Sequence, residues 1–470
     1  MTWIVRWTRS LTRSGSTREN DPVTRQEVTP RETFSSRVGL LATMIGLAVG
    51  LGNVWRFPYM VGQFGGGAFL VVYLLIAALV AIPALMGEWS LGRHTQRGPL
   101  GAFERIGLPG GRGMGWLLMA IAWAAVSYYT NAIGWVVYHA IAETVEPLGV
   151  VIDASAILPP AEGFSPKAMG LQLFFTSTLL LVQASVLLRG VRGGIERASK
   201  ILTPILFTTL VIVIARSVTL PGADEGIRWL FAFELSSVTP TVAIAALGQV
   251  VFSVGLGGTL MLVYGSYLGA DANIRTDATV TVVGDTVAGL LAGLAIFPAV
   301  FAFGLEPASG PGLLFDTLPR VFTEIPVGWL FGALFFVGLS GAALLSGIAA
   351  YEVLVAGFTD TLGWTRRRAV WTVYAGSILL AIPPMINLGI FVPWDLTFGS
   401  GGQTFGALVA VMTVGWVMKR ATLLEQIAGE HASTADRALV HWLRWVVPGA
   451  VVTASVWWFL TDVLGAVSGA

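Results

Sequence analysis

The sequence predicts an all-α polytopic membrane protein of about 11 transmembrane helices, a 5+5 inverted repeat with helices 1 and 6 broken at mid-membrane. Three observations predict it. Of 470 residues, 55% are hydrophobic and only 12% charged, whereas an average soluble domain carries about 25% charged residues. Apolar stretches close to the ~20 residues a helix needs to cross a bilayer recur along the chain. Two of these stretches are interrupted by glycine clusters in corresponding places, Gly46–Pro58 (G-L-A-V-G-L-G-N-V-W-R-F-P) and Ser253–Thr259 (S-V-G-L-G-G-T).

The spans cover approximately 38–60, 67–91, 115–142, 169–188, 199–217, 240–268, 278–303, 327–357, 369–390, 395–418 and 442–465. Residues 1–33 are polar and Arg-rich, without the apolar run of a signal peptide, and read as a cytoplasmic tail. Residues 34–217 then form the first five-helix repeat, 218–420 the second, and 421–470 a loop plus the eleventh helix. Loops holding Arg93, Arg97 and Arg105, then Arg189, Arg192, Arg197 and Lys200, then Arg366, Arg367 and Arg368 alternate with loops carrying isolated cations such as Lys167 and Arg228. The positive-inside rule puts the basic set and the N-terminus in the cytoplasm of a multi-pass cell-membrane protein, and an odd span count puts the C-terminus outside. The absence of cysteine excludes disulfides and thiolate metal sites, and the net charge of +1 calls for no acidic partner. His94, His139, His431 and His441 are scattered without ligand spacing. No HExxH, GxSxG or paired-aspartate motif points to an enzyme, and the Gly-Leu-Gly tripeptides do not follow a strand, so neither a nucleotide cofactor nor nucleic acid is indicated.

A membrane helix hides its own backbone polar groups, so a broken span is tolerated only where it is buried in protein or lines a cavity. Freed carbonyls then suit a cation and half-helix N-termini suit an anion. Helix packing of the GxxxG kind, which Gly46 and Gly50 also match, is the competing reading for either cluster alone; two clusters in corresponding positions favour a binding site. Ionisable groups inside spans are functional by default. Here they are Arg56, Glu88, Asp285, Glu352 and Asp395, with Asn53 and Gln249 as neutral polar groups. Arg56 and Asp395 also read as solvated end charges, and Glu88 as a helix-end charge. Asp285, Asn53 and Ser253 are hard oxygen donors suited to a small hard cation, sodium rather than magnesium, which resists dehydration. A lone buried carboxylate at Asp285 must be protonated or meet a cation.

Further motifs follow these: G-G-G-A-F (Gly65–Phe69), E-W-S-L-G-R (Glu88–Arg93), S-Y-Y (Ser127–Tyr129), G-G-I-E-R (Gly193–Arg197), A-L-G-Q-V-V-F-S (Ala246–Ser253) and G-L-E-P-A-S-G-P-G (Gly304–Gly312). With them the chain resembles the neurotransmitter:sodium symporters, especially their bacterial and archaeal amino-acid members, from about Arg31 to past Asp395. The resemblance implies a first sodium held by the Ala48 carbonyl, Asn53, Ser253, Asp285 and the substrate carboxylate. That carboxylate would also meet N–H groups near Leu51 and Gly52 and the Tyr129 hydroxyl. Carbonyls of Gly46, Ala48 and Phe252 would meet the amine, and Leu47, Ala125, Phe252, Gly255, Gly258, Ser346 and Ala350 would surround the side chain. Several of these are smaller than in the family's leucine-transporting member, which suggests a bulky apolar or aromatic substrate.

Gly50 falls where monoamine transporters carry an aspartate, which argues for a substrate with its own carboxylate. Asp285 falls where chloride-dependent members carry asparagine, which implies chloride independence. At the second sodium site Gly46, Val49 and Ala342 supply carbonyls and Ser346 a hydroxyl, but Leu345 offers no oxygen where threonine or aspartate is usual. One sodium is well defined by this pattern and the second is open. Gates matching the family's are Arg56 with Asp395 outside, and Arg31 with Asp360 inside, the latter helped by Phe34 and Tyr267; Glu88 would brace the broken helices and Gln249 sit between Arg56 and the site. The implied function is a sodium-coupled symporter for hydrophobic or aromatic amino acids working by alternating access. A proton-coupled or sodium-independent carrier of the same fold, or a non-transporting sensor, is the alternative. The partners are an amino acid and the lipid bilayer, with association open between monomer and weak dimer.

Overall fold

A computed structural model describes residues 34–308, 312–429, 432–458 and 460. It is helical, with no strand among the described residues. Among the described residues, seven helices are long and apolar enough to cross a membrane: α3 (Gly67–Thr95), α4 (Gly111–Leu148), α5 (Pro166–Leu187), α6 (Val191–Ser217), α9 (Ile274–Ala302), α10 (Gly328–Leu362) and α14 (Thr434–Trp457). Two bent pairs add to them, α1 (Arg37–Ala48) with α2 (Gly52–Gln63) at 52°, and α12 (Leu388–Val417) with α13 (Arg420–Ala428) at 109°. The sixth apolar stretch folds as α7 (Pro240–Val254) and the short α8 (Leu260–Gly265), and the ninth as α11 (Arg366–Met385). Over its described residues each predicted span coincides with a helix or a broken pair; residues 461–465 of the last lie outside the described residues.

Local sequence explains where these helices start and stop. Ser36, Ser165, Thr239, Asn273, Thr365 and Asn387 each accept a backbone N–H from the first turn that follows, the standard N-cap contact. Pro166 and Pro240 stand at N1, where the missing N–H costs nothing. Gly255, at φ +73°, ends α7 in the left-handed region that glycine alone enters without strain. Large apolar side chains such as Leu75, Leu79, Val211 and Leu379 are exposed, while Asn53, Glu88, Gln249 and Asp285 are buried. That distribution suits lipid outside and a polar site within.

Packing places the breaks side by side. α3 runs past both halves of the second broken helix, and α9 lies against α1, α6 and the first turn of α2. α4 and α10 pack along one another. Leu47 and Ala48 belong to one apolar core and Val49, Leu51 and Val54 to another, so the first break lies where two cores meet. The first turn of α1 is held from two sides: the Ser35 N–H donates to Glu196 of α6 (3.0 Å), and Arg37 pairs with the buried Asp277 of α9 (3.0 Å).

The segment after residue 420, expected to be a loop, opens with α13 folded sharply back from α12. Leu423 and Ile427, four residues apart, are buried there, and Arg93 donates to the Gln426 side chain (2.7 Å). The eleventh helix begins at Thr434, earlier than expected, with Asp436 in its first turn paired to Arg275.

Candidate functional site: a cavity at two helix breaks

α1 ends at Ala48 because Val49 turns extended (φ −79°, ψ 110°). The freed N–H groups find side chains: Gly50 donates to Asn53 Oδ1 (3.1 Å) and Leu51 to the Tyr129 hydroxyl (3.2 Å). A β-carbon at Gly50 would lie 2.9 Å from the Tyr129 hydroxyl and 3.0 Å from Ser346 Cβ, so glycine allows that close approach. Across the gap, Gln249 donates to the Gly52 carbonyl (2.9 Å). At the second break the Gly257 and Gly258 N–H groups both donate to Glu88 Oε1, at 3.0 Å each. Glu88 is fully buried, so one carboxylate oxygen caps two backbone donors that no helix satisfies.

Between the breaks the predicted oxygen donors meet. Asn53 Nδ2 donates to Asp285 Oδ1 (2.6 Å), and lies 2.9 Å from the Asp285 carbonyl and 3.0 Å from Ser253 Oγ. The Ser253 hydroxyl is within 3.0 Å of both Asp285 carboxylate oxygens, and Tyr73 reaches one of them at 3.4 Å. Asp285 is fully buried, and none of the described ion pairs includes it. A buried carboxylate in that position takes either a proton or a cation.

Beside this cluster lies a cavity of about 140 Å³. Its wall includes Leu47, Ala48, Gly52, Ala125, Tyr129, Phe252, Ser253, Gly255, Ser346 and Ala350. Gly46 and Leu51 are buried and do not line it. Gly258 does not line it, contrary to expectation: at φ +66° its α-carbon turns toward α12, where a β-carbon would lie 2.8 Å from the Gly406 carbonyl and 3.3 Å from Ala410. The sequence reading missed the other end of the cavity, formed by Leu118, Ile121 and Ala122 of α4, Thr259, Val353, and Phe398 with Gln403 of α12. Gly399 and Gly402 were the available signal. Their absent side chains let α12 approach Tyr128 and Ile121.

Near the expected second ion position, Leu345 is fully buried against Gly46, whose β-carbon would lie 2.6 Å from a leucine methyl. Val49 and Ala342 are buried and Ser346 half-buried beside it.

The gate residues are arranged as follows. The Arg56 guanidinium lies over the Phe252 ring at 4.3 Å and donates to Tyr59 (3.3 Å). Asp395 accepts from Tyr128 (2.5 Å). No ion pair joins Arg56 to Asp395 in this structure, because each charge is met by a tyrosine and Arg56 also by the aromatic face. At the other end Tyr267 donates to Glu352 (2.7 Å), which pairs with Arg366 (2.6 Å). Asp360 accepts from the Gly98 N–H (3.1 Å). Arg31, its expected partner, lies outside the described residues, and Phe34 is half-buried.

Two broken helices whose freed backbone groups meet beside an interior cavity, with the buried Asp285 carboxylate next to them, are the arrangement of a secondary transporter. The family model of the sodium:neurotransmitter symporter family matches residues 31–149 and 166–463. The chain belongs to that family. It is 33% identical over 437 residues to an uncharacterized sodium-dependent transporter, YhdH, of Bacillus subtilis, covering 89% of this chain and 96% of that one. A 28% identical relative over 445 residues, an uncharacterized sodium-dependent transporter of Methanocaldococcus jannaschii, covers 91% of this chain and 86% of its own. Among solved structures, the crystal structure of MhsT in complex with L-phenylalanine matches with a TM-score of 0.79 and 34% identity, covering 91% of this chain and 99% of MhsT.

Proposed function

We propose that this protein carries a hydrophobic or aromatic amino acid across the cell membrane with sodium, by alternating access and without chloride. One observation carries the reading: the buried Asp285 carboxylate meets Asn53 and Ser253 beside the broken backbone at Ala48–Leu51. Sodium would replace the hydrogen-bond donors on those oxygens. It would sit where the Ala48 carbonyl and a substrate carboxylate can also reach it, with Leu51, Gly52 and Tyr129 completing the carboxylate's contacts. Each solute then neutralises the other, which couples their binding. The cavity's apolar wall supports an apolar side chain, and MhsT, the structural neighbour, has been crystallised with L-phenylalanine.

Alternating access requires that the two solutes bind the outward- and inward-facing states with different affinity. Arg56 over Phe252, opposite Asp395, is suited to close one side. Tyr267 with Glu352, and Asp360 with Arg31, are suited to close the other. Exposed or partly exposed charged pairs suit a gate because water competes well for them and opening costs little. In this reading the N-terminus is cytoplasmic and the C-terminus extracellular. The acidic Asp285 supplies the negative charge that chloride would otherwise bring. Leu345 leaves the second ion position one oxygen short, so a single sodium per cycle is expected, with a Hill coefficient for sodium near one.

The test is uptake of radiolabelled tryptophan, tyrosine, phenylalanine, leucine and alanine into proteoliposomes. An inward sodium gradient should drive uptake of the large side chains, choline should abolish it, and gluconate in place of chloride should leave it unchanged. Uptake that follows a proton gradient and ignores sodium would favour the second reading, a proton-coupled carrier. The lack of an oxygen at Leu345 is the observation behind that reading, and Asp285 would then be the proton site.

A further inference from the structure

One end of the cavity carries a polar group that the reading above leaves unused. The cavity lining includes Tyr129, whose hydroxyl meets the Leu51 N–H, then Gly255 and Gly257 of the second break, and Gln403 on α12. The close approach there is built from glycine: a β-carbon at Gly257 would lie 3.2 Å from Gln403 Cγ, and one at Gly258 would press on the Gly406 carbonyl at 2.8 Å. Three of the polar side chains on the wall are engaged. Ser253 is bonded to Asp285, Tyr128 to Asp395, and Tyr129 to the Leu51 N–H. The Gln403 carboxamide is half-buried and has no hydrogen-bond partner among the described residues. The same wall carries the apolar Leu118, Ile121, Val353 and Phe398, with Thr259 adding a hydroxyl.

We propose that Gln403 sets substrate specificity, favouring aromatic amino acids that carry a hydrogen-bond donor on the ring, an indole N–H or a phenol O–H, over phenylalanine. This rests on the amino-acid reading above. A substrate fixed by its carboxylate at Leu51 and Tyr129 extends its side chain past the small residues Gly255 and Ala350 toward α12. An apolar ring tip displaces water from the carboxamide and leaves it unsatisfied, whereas a donor at that tip bonds to Gln403 Oε1. A site that offers a hydrogen bond discriminates against the analogue lacking one, because its own polar group is stranded. For a half-buried amide that water partly reaches, the expected preference is about 10-fold.

The test compares sodium-driven uptake of tyrosine, tryptophan, phenylalanine and leucine by the full-length wild-type chain and by Gln403→Met in proteoliposomes. Methionine keeps the length of the side chain and removes both its donor and its acceptor. Wild type should take tyrosine and tryptophan with a KM about 10-fold below that of phenylalanine. In Gln403→Met the ratio should collapse to near one, with the phenylalanine KM held or lowered, which also shows that the variant folds. Equal KM values for tyrosine and phenylalanine in wild type would overturn the proposal, and so would a preference that survives in Gln403→Met. Loss of sodium-driven uptake of all four amino acids in wild type would overturn the amino-acid reading together with this one. Normal phenylalanine and leucine uptake with no tyrosine preference would overturn this one alone.

Discussion

Asp285→Ala is expected to abolish sodium-driven uptake while leaving a folded, extractable protein. In the proposed reading, removing this carboxylate strips the ion site of its formal negative charge. It also strands the Asn53 amide and the Ser253 hydroxyl, which now bond to it at 2.6 and 3.0 Å. Deleting one partner of a buried charge pair costs about 3–5 kcal/mol, so the apparent sodium affinity should fall by roughly 100-fold or more. Isothermal sodium titration of the purified chain, followed by tryptophan fluorescence, measures this directly. Asp285→Asn is the sharper control, since it keeps the oxygen and the shape and removes only the charge. By the family resemblance, its uptake should return when chloride accompanies sodium. A sodium affinity unchanged in Asp285→Ala would remove this site from the coupling mechanism.

Glu88→Leu is expected to cost nearly as much by a different route. Glu88 binds neither solute in the proposed reading. Its Oε1 holds two N–H groups of the second break at 3.0 Å each, and the carboxylate is fully buried. Leaving two buried donors unsatisfied costs about 1–3 kcal/mol for each. The second broken helix should therefore lose its fixed shape. Thermal unfolding in detergent should shift downward, and uptake should fall more than 10-fold. Glu88→Gln retains an acceptor and should keep most of the stability, which separates the hydrogen bonds from the charge. A Glu88→Leu chain with normal unfolding and transport would show that the break holds itself.

Both breaks were legible because glycine, asparagine and proline in an apolar run contradict a plain span. The meeting of Asn53, Ser253 and Asp285 was implied by the family resemblance that the motifs carry. The Gln403 end of the cavity wall was not legible. Leu118, Ile121 and Gln403 come together through packing between α4 and α12, which are distant in sequence, and none sits in a motif that announces a site. The bend between α12 and α13 was hidden for a related reason. Leu423 and Ile427 form too short an apolar stripe to separate from a loop before their buried surroundings are known. The separation of Arg56 from Asp395 belongs to a third kind. Opposite charges in a sequence indicate that a pair can form, but the state in which it forms depends on the Tyr59, Tyr128 and Phe252 contacts that compete for each charge.

The way the first break is tied gives it a property of its own. In an ordinary span the amide hydrogens are locked by carbonyls one turn earlier and exchange with solvent only when the helix opens. The Gly50 and Leu51 hydrogens are instead locked by side chains, the Asn53 carboxamide and the Tyr129 hydroxyl. An ion that draws the Asn53 oxygen toward itself releases the Gly50 hydrogen, and a carboxylate that takes the Leu51 hydrogen holds it more firmly than a phenol does. Deuterium uptake at these two neighbouring amides should therefore move in opposite directions as sodium and then substrate arrive, so that the isotope content of a single short peptide records which solutes occupy the protein.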